Sequence, residues 1–169
     1  VFLISGKDGK ISVVRVGTVV AVLGVLVVVG AGVTFLLDQQ ARRQPLEVES
    51  PSSATQVGSQ NVGLTERRVQ YTVPVGEMTI EQVVDHYNDR LETFGGEQLC
   101  ERSPREGVYA DFEPGTGRVP FQWQCLFDDS GFNATQYTLV RIQPGVFRED
   151  SAINTEGMVV IQHEQVWSP

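Results

Sequence analysis

Residues 16–37 carry no charged side chain, and nine of these 22 positions are Val. No other feature constrains the chain as tightly. As a helix this run spans about 33 Å, against a bilayer hydrocarbon core of about 30 Å. Each Val, Leu and Phe favours transfer into lipid by roughly 0.3–0.6 kcal/mol, and Gly and Thr return only part of that. Val is a poor helix former in water, but in lipid an unpaired backbone is far more costly, so a helix is expected. The competing assignment is a cleaved signal peptide, whose apolar core usually runs about 7–15 residues before a small-x-small cleavage site. Here the run is longer and closes on Phe35-Leu36-Leu37-Asp38. A permanent transmembrane helix over 16–37 is the expectation.

Charge and the two cysteines together give its expected direction. Lys7, Lys10 and Arg15 precede the span and Arg42 and Arg43 follow it, a slight positive-inside bias. Beyond Arg43 the chain holds 19 acidic and 8 basic side chains, a net of −11 within an overall −8. That acidic portion also holds both cysteines, Cys100 and Cys125, and a disulfide between them belongs in an oxidising compartment. The expected arrangement is a single-pass inner-membrane protein, residues 1–15 cytoplasmic and the C-terminal domain periplasmic or otherwise extracytoplasmic. An acidic balance argues against a nucleic-acid partner, since phosphate binding needs clustered Lys and Arg.

One face of the span collects small residues. Gly17, Ala21, Gly24 and Ala31 fall within about an 80° arc at 100° per residue. Such a stripe lets a second helix approach closely in lipid, where no hydrophobic drive brings helices together. Gly is also simply common in membrane helices. The span contains no ionisable side chain, so it is expected to be an anchor and not an ion path.

Residues 38–66 read as a linker. Pro45 and Pro51 interrupt it, and Ser50-Pro51-Ser52-Ser53 with the polar residues that follow offers no apolar period. Residues 67–169 then suggest one small α+β domain. Val69-Gln70-Tyr71-Thr72-Val73 alternates as a strand, and Pro74 and Gly76 end it. Thr79 is a natural N-cap with Gln82 placed to close a capping box, and Ile80, Val83, Val84, Tyr87, Leu91 and Phe94 follow at helical spacing. Gly95-Gly96 is the expected stop. Further strands are expected over 97–102, 107–113, 118–127, 135–143 and 157–167. One amphipathic helix packed on an antiparallel sheet is the simplest way to bury these faces. Cys100 and Cys125 fall on neighbouring strand candidates, and a disulfide there stabilises by about 3 kcal/mol in the loop-entropy account. Two buried free thiols are the alternative.

The search for chemistry returns little. Two cysteines exclude a disulfide-rich scaffold, a four-cysteine zinc site and a cysteine-ligated iron–sulfur cluster. Cys125, Met158 and His163 lie too far apart in sequence for a blue-copper loop, and a zinc site from His86 and His163 is unmotivated. Each lone His is better explained as a surface or core residue. No Gly-x-Ser-x-Gly elbow is present, and Gly115-Thr116-Gly117 lacks the Lys and helix of a phosphate loop. Asp128-Asp129-Ser130-Gly131-Phe132-Asn133 offers oxygen ligands but lacks the distal Glu of a calcium loop, so it reads as a hairpin turn. No catalytic, cofactor or metal residue is assigned. The aromatic residues Phe121, Trp123 and Phe127 alternate on one face of a strand candidate, and Trp167 nearly ends the chain. They are core under the helix or, in the alternative, an interface, since aromatic residues dominate interface energetics.

The block from Tyr71-Thr72-Val73-Pro74 through Thr79-Ile80-Glu81-Gln82-Val83-Val84-Asp85-His86-Tyr87 to Phe94-Gly95-Gly96 resembles small extracytoplasmic α+β domains of filamentous phototrophic bacteria and their relatives. The layout of one N-terminal span and a small outer domain is similar to the accessory single-span subunit of bacterial alternative complex III. That assembly oxidises quinol in respiration and photosynthesis, with its haems and iron–sulfur clusters in other subunits. The resemblance implies a non-catalytic subunit without a cofactor of its own, partnered by the membrane and other subunits. It assigns no functional residue. The alternative is a stand-alone membrane-tethered domain that binds a ligand or partner.

Overall fold

The computed structural model describes residues 13–94, 99–103, 122–131 and 133–169, which divide into two units, Val1–Ala41 and Arg42–Pro169. In the first, α1 (Val13–Ala41) is one continuous helix. Its segment Val16–Ala41 is long and apolar enough to cross a membrane, and none of it is buried. The helix continues past Leu37 because Asp38, Gln39 and Gln40 are tolerated helical residues and no Pro or Gly stops it before Ala41.

In the second unit, β1 (Thr55–Asn61), β2 (Glu66–Pro74), α2 (Ile80–Phe94), β3 (Glu101–Ser103), β4 (Gln122–Asp128), β5 (Gln136–Pro144) and β6 (Met158–Trp167) follow in chain order. All strand pairs are antiparallel, and the sheet order is β1-β2-β6-β5-β4-β3. The expected α+β fold, one amphipathic helix on an antiparallel sheet, is what forms. The capping box closes in both directions, Thr79 N donating to Gln82 Oε1 at 2.8 Å and Gln82 N to Thr79 Oγ1 at 3.3 Å. Behind it, Val83, Val84, Tyr87 and Leu91 are buried. The expected strand over 107–113, the Gly95-Gly96 stop and Phe121 lie outside the described residues.

The strand expectations hold to within a few residues for β2, β5 and β6, because these strands carry an inward apolar face. Register puts Val73 beside Val159, and Ile161 between Tyr71 and Ile142. With Val140, Cys125 and Phe127 they form the core beneath α2. The disulfide between Cys100 and Cys125 is present, with the two Cα atoms 4.2 Å apart. Cys100 lies just past α2, its amide donating to Asn88 Oδ1 at 2.9 Å, so the crosslink ties the chain leaving the helix to β4.

The linker over 38–66 is corrected. Its first residues end α1, and Thr55–Asn61 pairs with β2 as an edge strand. Between them Leu46, Val48 and Ala54 pack on the core. Leu46 and Val48 are too few to make a sequence period, and β1 leaves all seven side chains exposed, so it shows no alternation.

Candidate functional site

Residues 44–49 cross the helix-side face of the sheet, and the polar side chains beneath them define the only concentration of buried polar chemistry among the described residues. Along β6 the inward positions run Val159, Ile161, His163, Gln165, and along β5 they run Ile142, Val140, Thr138, Gln136. Register pairs Ile142 with Ile161 at the apolar end under α2, Val140 with His163 where the character changes, and Thr138 with Gln165 and Gln136 with Trp167 at the polar end. Gln136, Thr138, His163 and Gln165 are all buried. A buried amide or hydroxyl without a partner costs a few kcal/mol, so this half of the face demands a polar cover.

The segment 44–49 supplies it. Gln136 Nε2 donates to Gln44 O at 2.9 Å, Thr138 Oγ1 to Leu46 O at 2.5 Å, and Gln165 Nε2 to Leu46 O at 2.8 Å. Arg67 Nε donates to Gln165 Oε1 at 2.7 Å, and the Arg67 guanidinium also pairs with the Glu47 carboxylate. From α2, His86 Nε2 lies 3.0 Å from Glu49 O and Arg90 pairs with Glu49 at 2.6 Å. The segment is a strap, held by its backbone carbonyls and two ion pairs.

Where the two halves meet, Tyr87 Oη and His163 Nε2 are 2.8 Å apart, with Tyr87 fully buried and His163 1% exposed. Burial, reinforced by neighbouring Tyr71, raises the Tyr87 phenol far above its ordinary range. Burial lowers the His163 imidazole to about 4, with Glu47 pulling it up and Arg67 pushing it down. Tyr71, whose ring centroid is 5.0 Å from that of His163, is also raised, by burial first and then by Glu47. At neutral pH this is a hydrogen bond between two uncharged groups shielded from solvent. Its chemistry is cohesion.

Beside the strap lies a groove of about 270 Å³ lined by Glu47, Val48, Glu49, Arg90, Thr93, Phe94 and Phe127. Its floor is aromatic, Phe94 and Phe127 meeting edge to face at 5.8 Å. Its rim is the Arg90–Glu49 pair.

The aromatic strip is split by the structure. Phe127 is 1% exposed against Tyr87 and Phe94 and belongs to the core, which corrects its place in a candidate interface. Odd-numbered positions of β4 face α2, so the alternation marks the inside. Trp123 is half-buried against that core with the Arg102 guanidinium 5.9 Å from its ring, and Trp167 is half-buried at the end of β6. In α1, Gly17, Ala21, Gly24 and Ala31 are all exposed, and a Cβ added at Gly17 or Gly24 would meet nothing within 4 Å. Asp129 of the hairpin turn faces the Arg42 guanidinium at 3.3 Å.

Sequence reasoning missed the strap and its receptors. One signal was present: polar residues at inward parity, at the same end of two adjacent strands, require a polar partner above them. Fold and site together define a class, a small α+β domain that follows a helix of membrane-crossing length and spends its polar interior on holding its own N-terminal segment. No protein-family model, curated protein or solved structure matches the chain.

Proposed function

We propose that the protein is a non-catalytic accessory subunit of a larger membrane complex, anchored by α1 and carrying its domain on the extracytoplasmic side of the inner membrane. Electron transfer in respiration or photosynthesis is the setting that the resemblance to alternative complex III suggests. The observation that carries this reading is α1 itself, an apolar helix none of whose span is buried and whose small-residue face is open. Lipid satisfies most of such a surface, and close-packed neighbouring helices use the rest. The Cys100–Cys125 bond supports an oxidising compartment, and the acidic domain supports an N-terminus inside. The buried polar groups support a binding or structural role, because they are engaged in holding the strap.

Replacing Gly24 by Leu in the full chain tests the helix-packing part. The expected outcome is loss of co-purifying subunits from native membranes, with the domain's circular dichroism unchanged. Retention of every partner contradicts it. The aromatic-floored groove favours a second reading, a tethered domain that binds a small ligand there, and Phe94→Ala weakening capture of such a ligand is its test.

A further inference from the structure

The sheet ends on β3 at one side and on β1 at the other, and the two edges differ in kind. β3 is three residues long and carries Glu101 and Arg102, the shortness and charge that keep a sheet edge from recruiting another chain. β1 has seven residues, none of them charged and none Pro, with every side chain exposed. The uncharged run is longer than the strand itself. In a chain of which 20% is charged, residues 50–65 carry no charge, between Glu49 and Glu66. Such an edge accepts an extended strand, because only a second backbone offers the alternating donors and acceptors it presents.

Register identifies which groups it presents. Val62 N donates to Glu66 O and Asn61 lies opposite Arg67, so Asn61–Arg67 is a non-hydrogen-bonded pair, as is Ser59–Val69 two residues on. The backbone N–H and C=O of Ser59 and Asn61 therefore point away from β2 and out of the sheet. Between Gln56 and Gly58 the register shifts at a bulge, so the regular stretch of the edge begins at Gly58.

We propose that β1 pairs antiparallel with β1 of a second copy of this chain, about a two-fold axis at Gln60, joining the two sheets edge to edge. Ser59 of each copy then faces Asn61 of the other, and these hydrogen-bonded pairs use both backbone groups of both residues. A two-fold at Ser59 would set Asn61 against the bulged Val57, and one at Asn61 would set Ser59 against Gly63 in the turn, at φ 81°. Gln60 meets its own symmetry mate, amide beside amide. Gly58 lies opposite Val62 of the second copy, and a Cβ at Gly58 would meet nothing within 4 Å, so the isopropyl group has room. The occupant is the same strand because neutral matches neutral. Within the pairing no charge loses water or faces a like charge, whereas a charged strand of another protein finds no countercharge along 50–65. This self-pairing goes beyond the accessory-subunit reading and does not rest on it.

The test places one thiol in the full chain in its native membrane. Cys100 and Cys125 are bonded to each other, so Q60C supplies the free thiol. A non-hydrogen-bonded antiparallel pair holds its Cα atoms about 4.5 Å apart, within disulfide range. T55C, exposed on the same strand, is the control, since in this register its two copies stand about 34 Å apart at about 3.4 Å per residue. On mild oxidation the expected result is severalfold more covalent dimer from Q60C than from T55C. Equal dimer from the two, or none from Q60C, overturns the pairing. A Q60C adduct to a different protein in place of the dimer overturns it as well, and assigns the edge to that partner.

Discussion

Tyr87 and His163 bury a phenol and an imidazole against each other in the middle of the core, and His163 contributes a defined share of the domain's response to acid. The His163 imidazole sits at about 4 when folded and near 6.5 in an open chain. Below pH 6.5 the unfolded chain therefore binds a proton that the folded one refuses. Stability from this residue is complete above pH 6.5 and is lost progressively as pH falls towards 4, by about 3 kcal/mol in all. Urea unfolding of the detergent-solubilised chain at pH 7 and pH 4.5 measures it, with His163→Asn as reference. The variant is less stable at pH 7 but loses less on acidification; equal losses contradict the assignment. A second residue-scale case is Gly145, where an added Cβ would stand 1.6 Å from Thr155 O and 2.8 Å from Met158 O. Backbone must move to admit it, so Gly145→Ala is expected to cost about 1–3 kcal/mol or more. Gly76→Ala, with nothing within 4 Å, is expected to stay within about 1 kcal/mol in the same thermal melt.

The strap is the element whose behaviour most distinguishes this domain from a helix lying on a sheet. Its hold depends on side chains donating to the Leu46 carbonyl, so the double change Thr138→Val and Gln165→Leu leaves that acceptor without both donors. The expected loss is about 1–3 kcal/mol for each buried bond broken. A glutamyl-specific protease reads the consequence, since Glu47 and Glu49 become cleavable as the strap lifts; cleavage as slow as in the unaltered protein contradicts the account. The same element shows how far the sequence could be read. Helix α2 was legible because its capping box and apolar stripe are both local, and β2, β5 and β6 were legible because burial imposes alternation on them. The strap and β1 were not. A strand with every side chain in water needs no pattern, and a strap held through its backbone leaves its signature in the residues that grip it. Gln136, Thr138 and Gln165 carried that signature, polar at positions where Val and Ile occupy the other half of each strand. Phe127 was legible as apolar but not as inner or outer until β4 had a register.

At the scale of the whole molecule, an apolar helix ending at Ala41 is followed by a domain that holds Arg42 through Asp129 and Gln44 through Gln136. The membrane-crossing length of α1, the disulfide and the acidic balance were all readable from composition and spacing, because each depends on residue type more than on contacts. The proposed role as an accessory subunit of a larger membrane complex predicts fixed partners, and the polar interior, engaged in holding the strap, is consistent with support. The most direct test of that claim is mild detergent extraction from native membranes, native electrophoresis, and mass spectrometry of the band that contains this chain. One large assembly at fixed stoichiometry, with the same companions in every preparation, is the predicted result; migration alone, at the mass of one or two copies with bound detergent, contradicts it.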